Sequence, residues 1–341
     1  MPSIRIKIDT ERKNSMKIPE LKKLLENVDR TMLEKVLVEC YKQVPKAKKE
    51  ELDLVIQDVL EGKSEKRGKV PKSVDFETLS GQIETFLEDA YAQNYLVPNR
   101  SVPKNQRSKW RFLVKGYIKE LADISPENEH YAEAVGLLGD LYRMICYACS
   151  YYLFSTDDPF RSIGWEQPAL YRLLAEKTLQ TGNSREAIAE LIADAVSGGL
   201  SRESLHCYQE LTLLSLLTTD ELKSAAIEEA KRLAENEMTK LKSLGEYSHE
   251  RYETQERVNE LCNFILAASM ELGKTEEGVK YYFEHCREHT REIVLYCALD
   301  MARMMDFRED WLYIYEYGLK KKIKPREELR EQYEQILREG R

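Results

Sequence analysis

Residues 128–154, NEHYAEAVGLLGDLYRMICYACSYYLF, predict the central helix of this chain. Their apolar side chains recur at helical spacing, and beyond Met144 they occupy every side of the helix. A helix that is apolar all round is buried on all sides. Ser125, Pro126 and Glu127 precede it and predict a helix start, with a cap, a first-turn proline and an acidic first turn. We therefore expect other helices to pack around it.

The composition favours helix over strand. The 341 residues include few helix breakers, 15 Gly and 10 Pro, whereas the strong helix formers Leu, Glu, Lys and Ala are abundant. Hydrophobic residues make up 42% and charged residues 33% of the chain, a balance typical of an ordered protein. We predict an all-α protein in which antiparallel helix pairs stack as an α-α superhelix, with a small N-terminal helical module.

Breaks in the helical patterns divide the chain into four segments. Residues 1–15 alternate Ile with charged residues, which predicts a frayed extension or one short strand. Residues 16–62 predict a three-helix module, and residues 63–73, KSEKRGKVPKS, predict a basic linker interrupted by Gly and Pro. Residues 74–341 form the predicted helical-repeat domain.

From residue 167 onward, short turns separate helix pairs. The turns lie at Gly182, Thr218, Gly273 and Asp306, at intervals of 36, 55 and 33 residues. Two intervals are close to the period of about 34 residues found in helix–turn–helix repeats. On this pattern, residues 167–320 resemble the tetratricopeptide-like and related α-solenoid families. The resemblance implies a concave groove that binds a partner, and it implies no activity.

Three features predict a cytoplasmic protein that does not bind membranes. The first residues contain no apolar run, so no signal peptide is expected. No stretch approaches about 18 consecutive apolar residues, the length that a membrane span needs. The seven Cys are odd in number and scattered through helical patterns, which favours reduced thiols over a disulfide framework.

The segment 99–120, NRSVPKNQRSKWRFLVKGYIKE, is the candidate binding segment. It is basic, with no acidic residue before Glu120, although the net charge of the chain is −8. Residues 1–119 hold 25 Lys and Arg against 18 Asp and Glu, whereas residues 120–341 hold 27 against 42. From Trp110 to Leu121, apolar residues at helical spacing predict a buried stripe. The candidate binding residues are Arg100, Lys104, Arg107, Arg111, Lys115 and Lys119.

Four of these cations, within 107–119, follow at steps of four and predict a ridge along one helix. Like charges at this spacing disfavour an isolated helix by about 0.2–0.5 kcal/mol per pair. An anionic group is therefore expected to compensate. Three sources of compensation are open. The first is solvent or an internal carboxylate, from Glu88, Asp89 or the acidic C-terminal half. The second is the phosphate backbone of a nucleic acid, and the third is an acidic protein partner.

His285, Glu288 and His289 fit H-x-x-E-H, the inverted zinc-protease pattern. Two His at i and i+4 on a helix can bind one zinc ion, with the Glu as general base. Here the pattern lies in the last turn of a predicted helix and flanks its apolar face. A metal-dependent hydrolase is therefore the third hypothesis, and we predict no metal or other cofactor.

Three further motifs favour structural explanations. The segment 62–70 has five residues between its glycines and lacks the hydroxyl residue of a P-loop, which favours a linker. Cys146 and Cys149 form C-x-x-C inside the most apolar helix, which favours core packing over redox chemistry. Asp157 and Asp158 are adjacent loop carboxylates, which are typical of solvated turns.

The sequence indicates no catalytic constellation. We predict a non-enzymatic cytoplasmic scaffold or adaptor that binds a protein or peptide in a Tyr-lined groove, since Tyr is frequent, with 20 residues. The alternative is a helical repeat that binds nucleic acid through residues 100–119. The sequence leaves the oligomeric state open.

Overall fold

The computed structural model describes residues 23–25, 28–44, 49, 53, 56, 75–96, 101–182 and 184–339. Every regular element in these residues is a helix, which confirms the predicted all-α class. The chain divides into two compact units, Met1–Ser73 and Val74–Arg341. The predicted extension 1–15 and linker 63–73 lie outside the described residues, and both remain predictions. None of the described helices is long and apolar enough to cross a membrane.

We number the helices whose limits are described. In the first unit, α1 spans Arg30–Gln43, and the Asp29 side chain caps it by accepting a hydrogen bond from the Met32 amide. The other two helices predicted within 16–62 fall largely outside the described residues. The helices of the second unit are α2 (Phe76–Tyr91), α3 (Lys104–Arg107), α4 (Trp110–Ala122), α5 (Tyr131–Ser150), α6 (Pro159–Ile163), α7 (Gln167–Thr181), α8 (Arg185–Ala195), α9 (His206–Leu216), α10 (Asp220–Leu241), α11 (His249–Glu271), α12 (Thr275–His285), α13 (Arg291–Met304), α14 (Arg308–Lys320) and α15 (Glu327–Glu339).

Helix α5 occupies the centre of its part of the second unit, as its apolar sequence predicts. It packs against α2, α4, α6 and α7. Leu138, Leu141 and Ile145, which lie on successive turns, are each 0% exposed. Just beyond the helix, the ring of Phe154 stacks on that of Trp110 from α4 at 3.9 Å between centroids.

The limits of α5 differ from the predicted ones. The helix begins at Tyr131 rather than near Ser125, because the intervening polar residues form turns of their own. The Glu127 amide donates to the Ser125 hydroxyl, and the His130 amide donates to the Asn128 side chain at 2.8 Å. Short polar side chains that bond to nearby backbone in this way compete with the helix.

From α5 onward, alternate helices form a row. Helix α5 packs on α7, α7 on α9, α9 on α11 and α11 on α13. On one side of this row α8 packs against α10, and α12 packs against α14. This arrangement is compatible with a helical-repeat fold.

The longest helices, α10 and α11, form an antiparallel hairpin. Helix α10 packs chiefly against α11 and α8 rather than against α9, its predicted partner. This long hairpin accounts for the interval of 55 residues that interrupts the repeat spacing. Three ion pairs span the hairpin: Lys223–Glu271 at 2.5 Å, Glu237–Arg257 at 3.1 Å and Lys240–Glu250 at 3.0 Å.

Gly199 allows the segment after α8 to approach the last turns of α5. A Cβ atom at this position would lie 2.4 Å from the Cys146 carbonyl oxygen and 2.9 Å from the Cys149 Cβ atom. Both distances are far shorter than van der Waals contact. The close approach therefore requires a residue without a side chain.

We expect Gly199→Ala to lower the free energy of unfolding by about 1–3 kcal/mol, because the added methyl overlaps the backbone of α5. Gly136→Ala is the matched control. Gly136 lies on the exposed side of α5 with nothing within 4 Å of an added Cβ, so this change should raise stability by up to about 1 kcal/mol. Urea denaturation followed by circular dichroism measures both. Equal stability of wild type and Gly199→Ala would contradict the close packing.

Candidate functional site

The candidate cationic segment folds as two helices rather than one. Helix α3 ends at Arg107, and a two-residue turn separates it from α4. The predicted step of four therefore holds for Arg111, Lys115 and Lys119, which lie on α4, and the continuous ridge is shorter than predicted. The Arg107 side chain instead donates to a backbone carbonyl at 2.8 Å. Arg100 lies outside the described residues.

The apolar stripe of α4 faces the core as predicted, with one difference. Trp110, Val114, Ile118 and Leu121 are buried. Leu113 is instead 40% exposed, because it borders a 380 Å³ cavity between α2 and α4. The core side of α4 is thus narrower than the sequence predicts, and more of the helix faces solvent.

Helix α3 and the solvent side of α4 carry exposed cations without anionic partners. Lys104, Lys115 and Lys119 form no ion pair and no hydrogen bond with any residue in the described part of the chain. The guanidinium of Arg111 lies over the ring of its neighbour Phe112, at 5.1 Å from the centroid. We call Lys104, Arg111, Lys115 and Lys119 the cationic surface.

The carboxylates expected to neutralise these cations lie elsewhere. Asp89 accepts a hydrogen bond from the Asn94 side chain at 2.7 Å, and neither it nor Glu88 pairs with the cationic surface. Several Arg of the acidic part do have close carboxylate partners. The Arg143 guanidinium donates to Asp194 at 2.8 Å, for example. No described carboxylate therefore forms an ion pair with the cationic surface, and the Lys115 ammonium lies beside Gly164 at the end of α6.

A second exposed surface is formed by tyrosines at the ends of α2 and α5. The Tyr147 ring stacks on that of Tyr151, with centroids 4.4 Å apart, and lies 5.5 Å from the ring of Tyr91. These three residues, which we call the tyrosine cluster, are 41–49% exposed. Tyr152 beside them is 74% exposed. Sequence reasoning expected a Tyr-lined groove but did not identify these residues.

Carboxylates lie beside the tyrosine cluster. Burial and, next, the charge of Asp140 raise the pKa of Tyr91. The charge of Glu253 on α11 is the main cause of a raised pKa at Tyr151. The Glu253 carboxylate of α11 therefore lies near the Tyr151 hydroxyl.

The two candidate zinc ligands do not share a helix. Helix α12 ends at His285, and the next residue has an extended backbone, so His289 lies beyond the helix and the i, i+4 arrangement is absent. Glu288, the candidate base, accepts a hydrogen bond from the Asn259 side chain at 2.9 Å. The described residues contain no group of three or more His, Cys, Asp or Glu that could hold a metal ion. The geometry therefore does not favour the hydrolase hypothesis.

Cys146 and Cys149 lie in the second half of α5, away from the helix N-terminus that redox pairs use. Burial raises the pKa of Cys149 to about 12, and it raises that of Cys146 further. Both thiols therefore stay protonated at neutral pH, which agrees with a role in core packing.

The adjacent carboxylates after α5 have separate structural roles. Asp158 is buried rather than solvated as predicted, because it caps α6 at the Arg161 amide and accepts the Ser201 hydroxyl at 2.8 Å. Asp157 forms an exposed ion pair with Arg202 at 3.2 Å. The two carboxylates do not form a cation site.

Sequence reasoning also missed a pair of carboxyl groups between α9 and α11. Glu210 is 0% exposed, and neither of its oxygens accepts a hydrogen bond from a described donor. Burial and, next, the charge of Glu260 raise the pKa of Glu210 well above its ordinary value. A protonated Glu210 can donate to the Glu260 carboxylate, which explains how the group is accommodated. The signal in the sequence was only a Glu between apolar residues of α9.

Comparison with models of protein families, with curated proteins and with solved structures found no match to this chain.

We expect Glu210→Gln to make stability less dependent on pH. The unfolded chain releases the Glu210 proton above its ordinary pKa of about 4.3, whereas the folded protein retains it. The contribution of Glu210 to the free energy of unfolding is therefore fully present below about pH 4.3. It decreases by roughly 1 kcal/mol per pH unit as the pH rises towards the raised pKa of the folded protein. Gln keeps the shape and a donor for Glu260 without ionising.

Urea denaturation between pH 5 and 8 tests this expectation. The stability difference between Glu210→Gln and wild type should increase with pH, whereas the exposed control Glu246→Gln should run parallel to wild type. Parallel curves for Glu210→Gln would show that Glu210 is ionised in the folded protein.

Proposed function

We propose that this protein is a non-enzymatic scaffold that binds a basic segment of a partner protein at the tyrosine cluster. The observation that supports this most directly is the exposure of three contacting tyrosine rings beside carboxylates on α5 and α11. Contiguous exposed apolar surface of this kind is typical of interaction sites.

The chemistry of the surface favours a cationic partner. The faces of tyrosine rings attract ammonium and guanidinium groups by roughly 0.5–1 kcal/mol at exposed positions. The negative charge of Glu253, which acts on the hydroxyl of Tyr151, adds to this attraction, whereas Asp140 near Tyr91 is paired with Arg143 at 3.4 Å. Arg is well suited, because its planar guanidinium stacks on a ring and also forms two parallel hydrogen bonds with a carboxylate.

A peptide of alternating Arg and Gly, labelled with fluorescein, tests this proposal by fluorescence anisotropy. We expect it to bind more tightly than the same peptide with citrulline in place of Arg, which keeps the shape of the side chain without its charge. Tyr147→Leu, which retains apolar bulk without an aromatic face, should weaken binding about fivefold.

Tyr247→Leu is the matched control, because Tyr247 is 94% exposed and forms no part of the cluster. Its affinity should equal that of wild type. Equal affinities of the Tyr147→Leu and Tyr247→Leu variants would show that peptides bind through general charge attraction. The proposal would also fail if the Arg and citrulline peptides bound equally. Thermal denaturation of both variants establishes that they are folded.

A further inference from the structure

We infer that the cationic surface of α3 and α4 binds single-stranded nucleic acid. This activity goes beyond the proposed function, since it uses neither the tyrosine cluster nor its neighbouring carboxylates. It rests on three observations: the cations lack partners, they are regularly spaced, and an exposed aromatic ring lies among them.

The cations of the surface form no ion pair with any described carboxylate of the second unit. The segment 120–341 contains 42 Asp and Glu, and several of its described Arg pair with them. Arg185, for example, is paired with Glu228 at 2.7 Å, although both side chains are largely exposed. No described carboxylate reaches Lys104, Lys115 or Lys119. The mutual repulsion along α4 is therefore left for an external anion to relieve.

The spacing of the cations suits a chain of phosphates. Four residues of α-helix rise about 6 Å, so Arg111, Lys115 and Lys119 cover about 12 Å along one side of α4. Lys104 continues the surface on α3. An extended polyanion with regularly repeated charges can engage these groups in order, whereas one small anion can reach only part of the set.

Phe112 distinguishes a single strand from other polyanions. Its side chain is 64% exposed, and the adjacent Arg111 guanidinium lies over its ring. Bases of a single strand can stack on aromatic rings and guanidinium planes irrespective of sequence. Bases within a duplex are already stacked, and neither heparin nor an acidic peptide rich in Asp offers flat aromatic rings. Positive charge combined with an exposed aromatic ring therefore favours unpaired nucleic acid.

Fluorescence anisotropy with the full chain and a labelled 15-nucleotide oligothymidylate tests the inference. Each neutralised phosphate of a single strand contributes about −0.7 to the slope of log affinity against log salt, so four contacts predict a slope of about −3. Lys115→Gln combined with Lys119→Gln should make the slope shallower by about 1.4. Lys280→Gln combined with Lys320→Gln is the control, because it removes the same charge from exposed positions on α12 and α14.

Phe112→Ala should weaken oligothymidylate binding about fivefold or more, since a stacked base is lost, and should leave heparin binding unchanged. Tyr147→Leu should bind oligothymidylate like wild type, which keeps this test independent of peptide binding. No binding at low salt would overturn the inference. Equal loss in the two double Lys variants would also overturn it, as would an unchanged affinity of Phe112→Ala. Tighter binding of a duplex or of poly-aspartate would assign the surface to that partner instead.

Discussion

The burial of α5 constrains the helices around it. The apolar residues of α5 must be covered, and α2, α4, α6 and α7 pack against them. The predicted burial on every side is wrong, because Gly136, Asp140 and Tyr147 form an exposed side. Each of these helices contributes the apolar side that its own sequence provides. The stacking of Trp110 on Phe154 attaches α4 to the segment that follows α5, through two large aromatic side chains.

Both proposed surfaces follow from this packing. Because the apolar stripe of α4 is used against the core, its cations are left on the solvent side. Because α5 is long, its last turn extends to the surface and exposes Tyr147, with Tyr151 just beyond the helix. The helix that organises the core thus places an aromatic surface at its own end and a cationic surface on the helix that covers it.

The two surfaces differ in their electrostatic environment. Carboxylates of α5 and α11 lie beside the tyrosine cluster and favour cationic partners. No described carboxylate forms an ion pair with the cationic surface, which favours anionic partners. Regions of opposite charge on one unit attract different partners. Each region also repels a partner of its own charge, because placing like charges side by side raises the free energy of the complex. The two proposed partners, a basic protein segment and a single-stranded nucleic acid, would not compete for the same residues.

Patterns that depend on local periodicity were predicted well from the sequence. The all-α class, the burial of Trp110 and Val114, and the core role of Cys146 all follow from apolar spacing. Patterns that depend on where a helix ends were predicted less well. The continuous ridge from Arg107 and the i, i+4 arrangement of the two His were wrong, because a turn at 108–109 and a non-helical segment after His285 interrupt the helical spacing. Beyond His285 the Arg287 amide donates to the Asn259 side chain of α11 at 2.7 Å, a contact between residues far apart in sequence.

The sequence by itself determined which sides of the helices are apolar, and hence the helical class and the central position of α5. It also determined that residues 101–119 carry cations without acids. Only the tertiary structure decided whether those cations meet carboxylates, which tyrosines come together, and that Glu210 faces Glu260. The physical reason is that hydrophobic periodicity is a local property of the chain. Charge pairing and ring contacts instead join residues far apart in sequence, and their positions depend on how the helices pack.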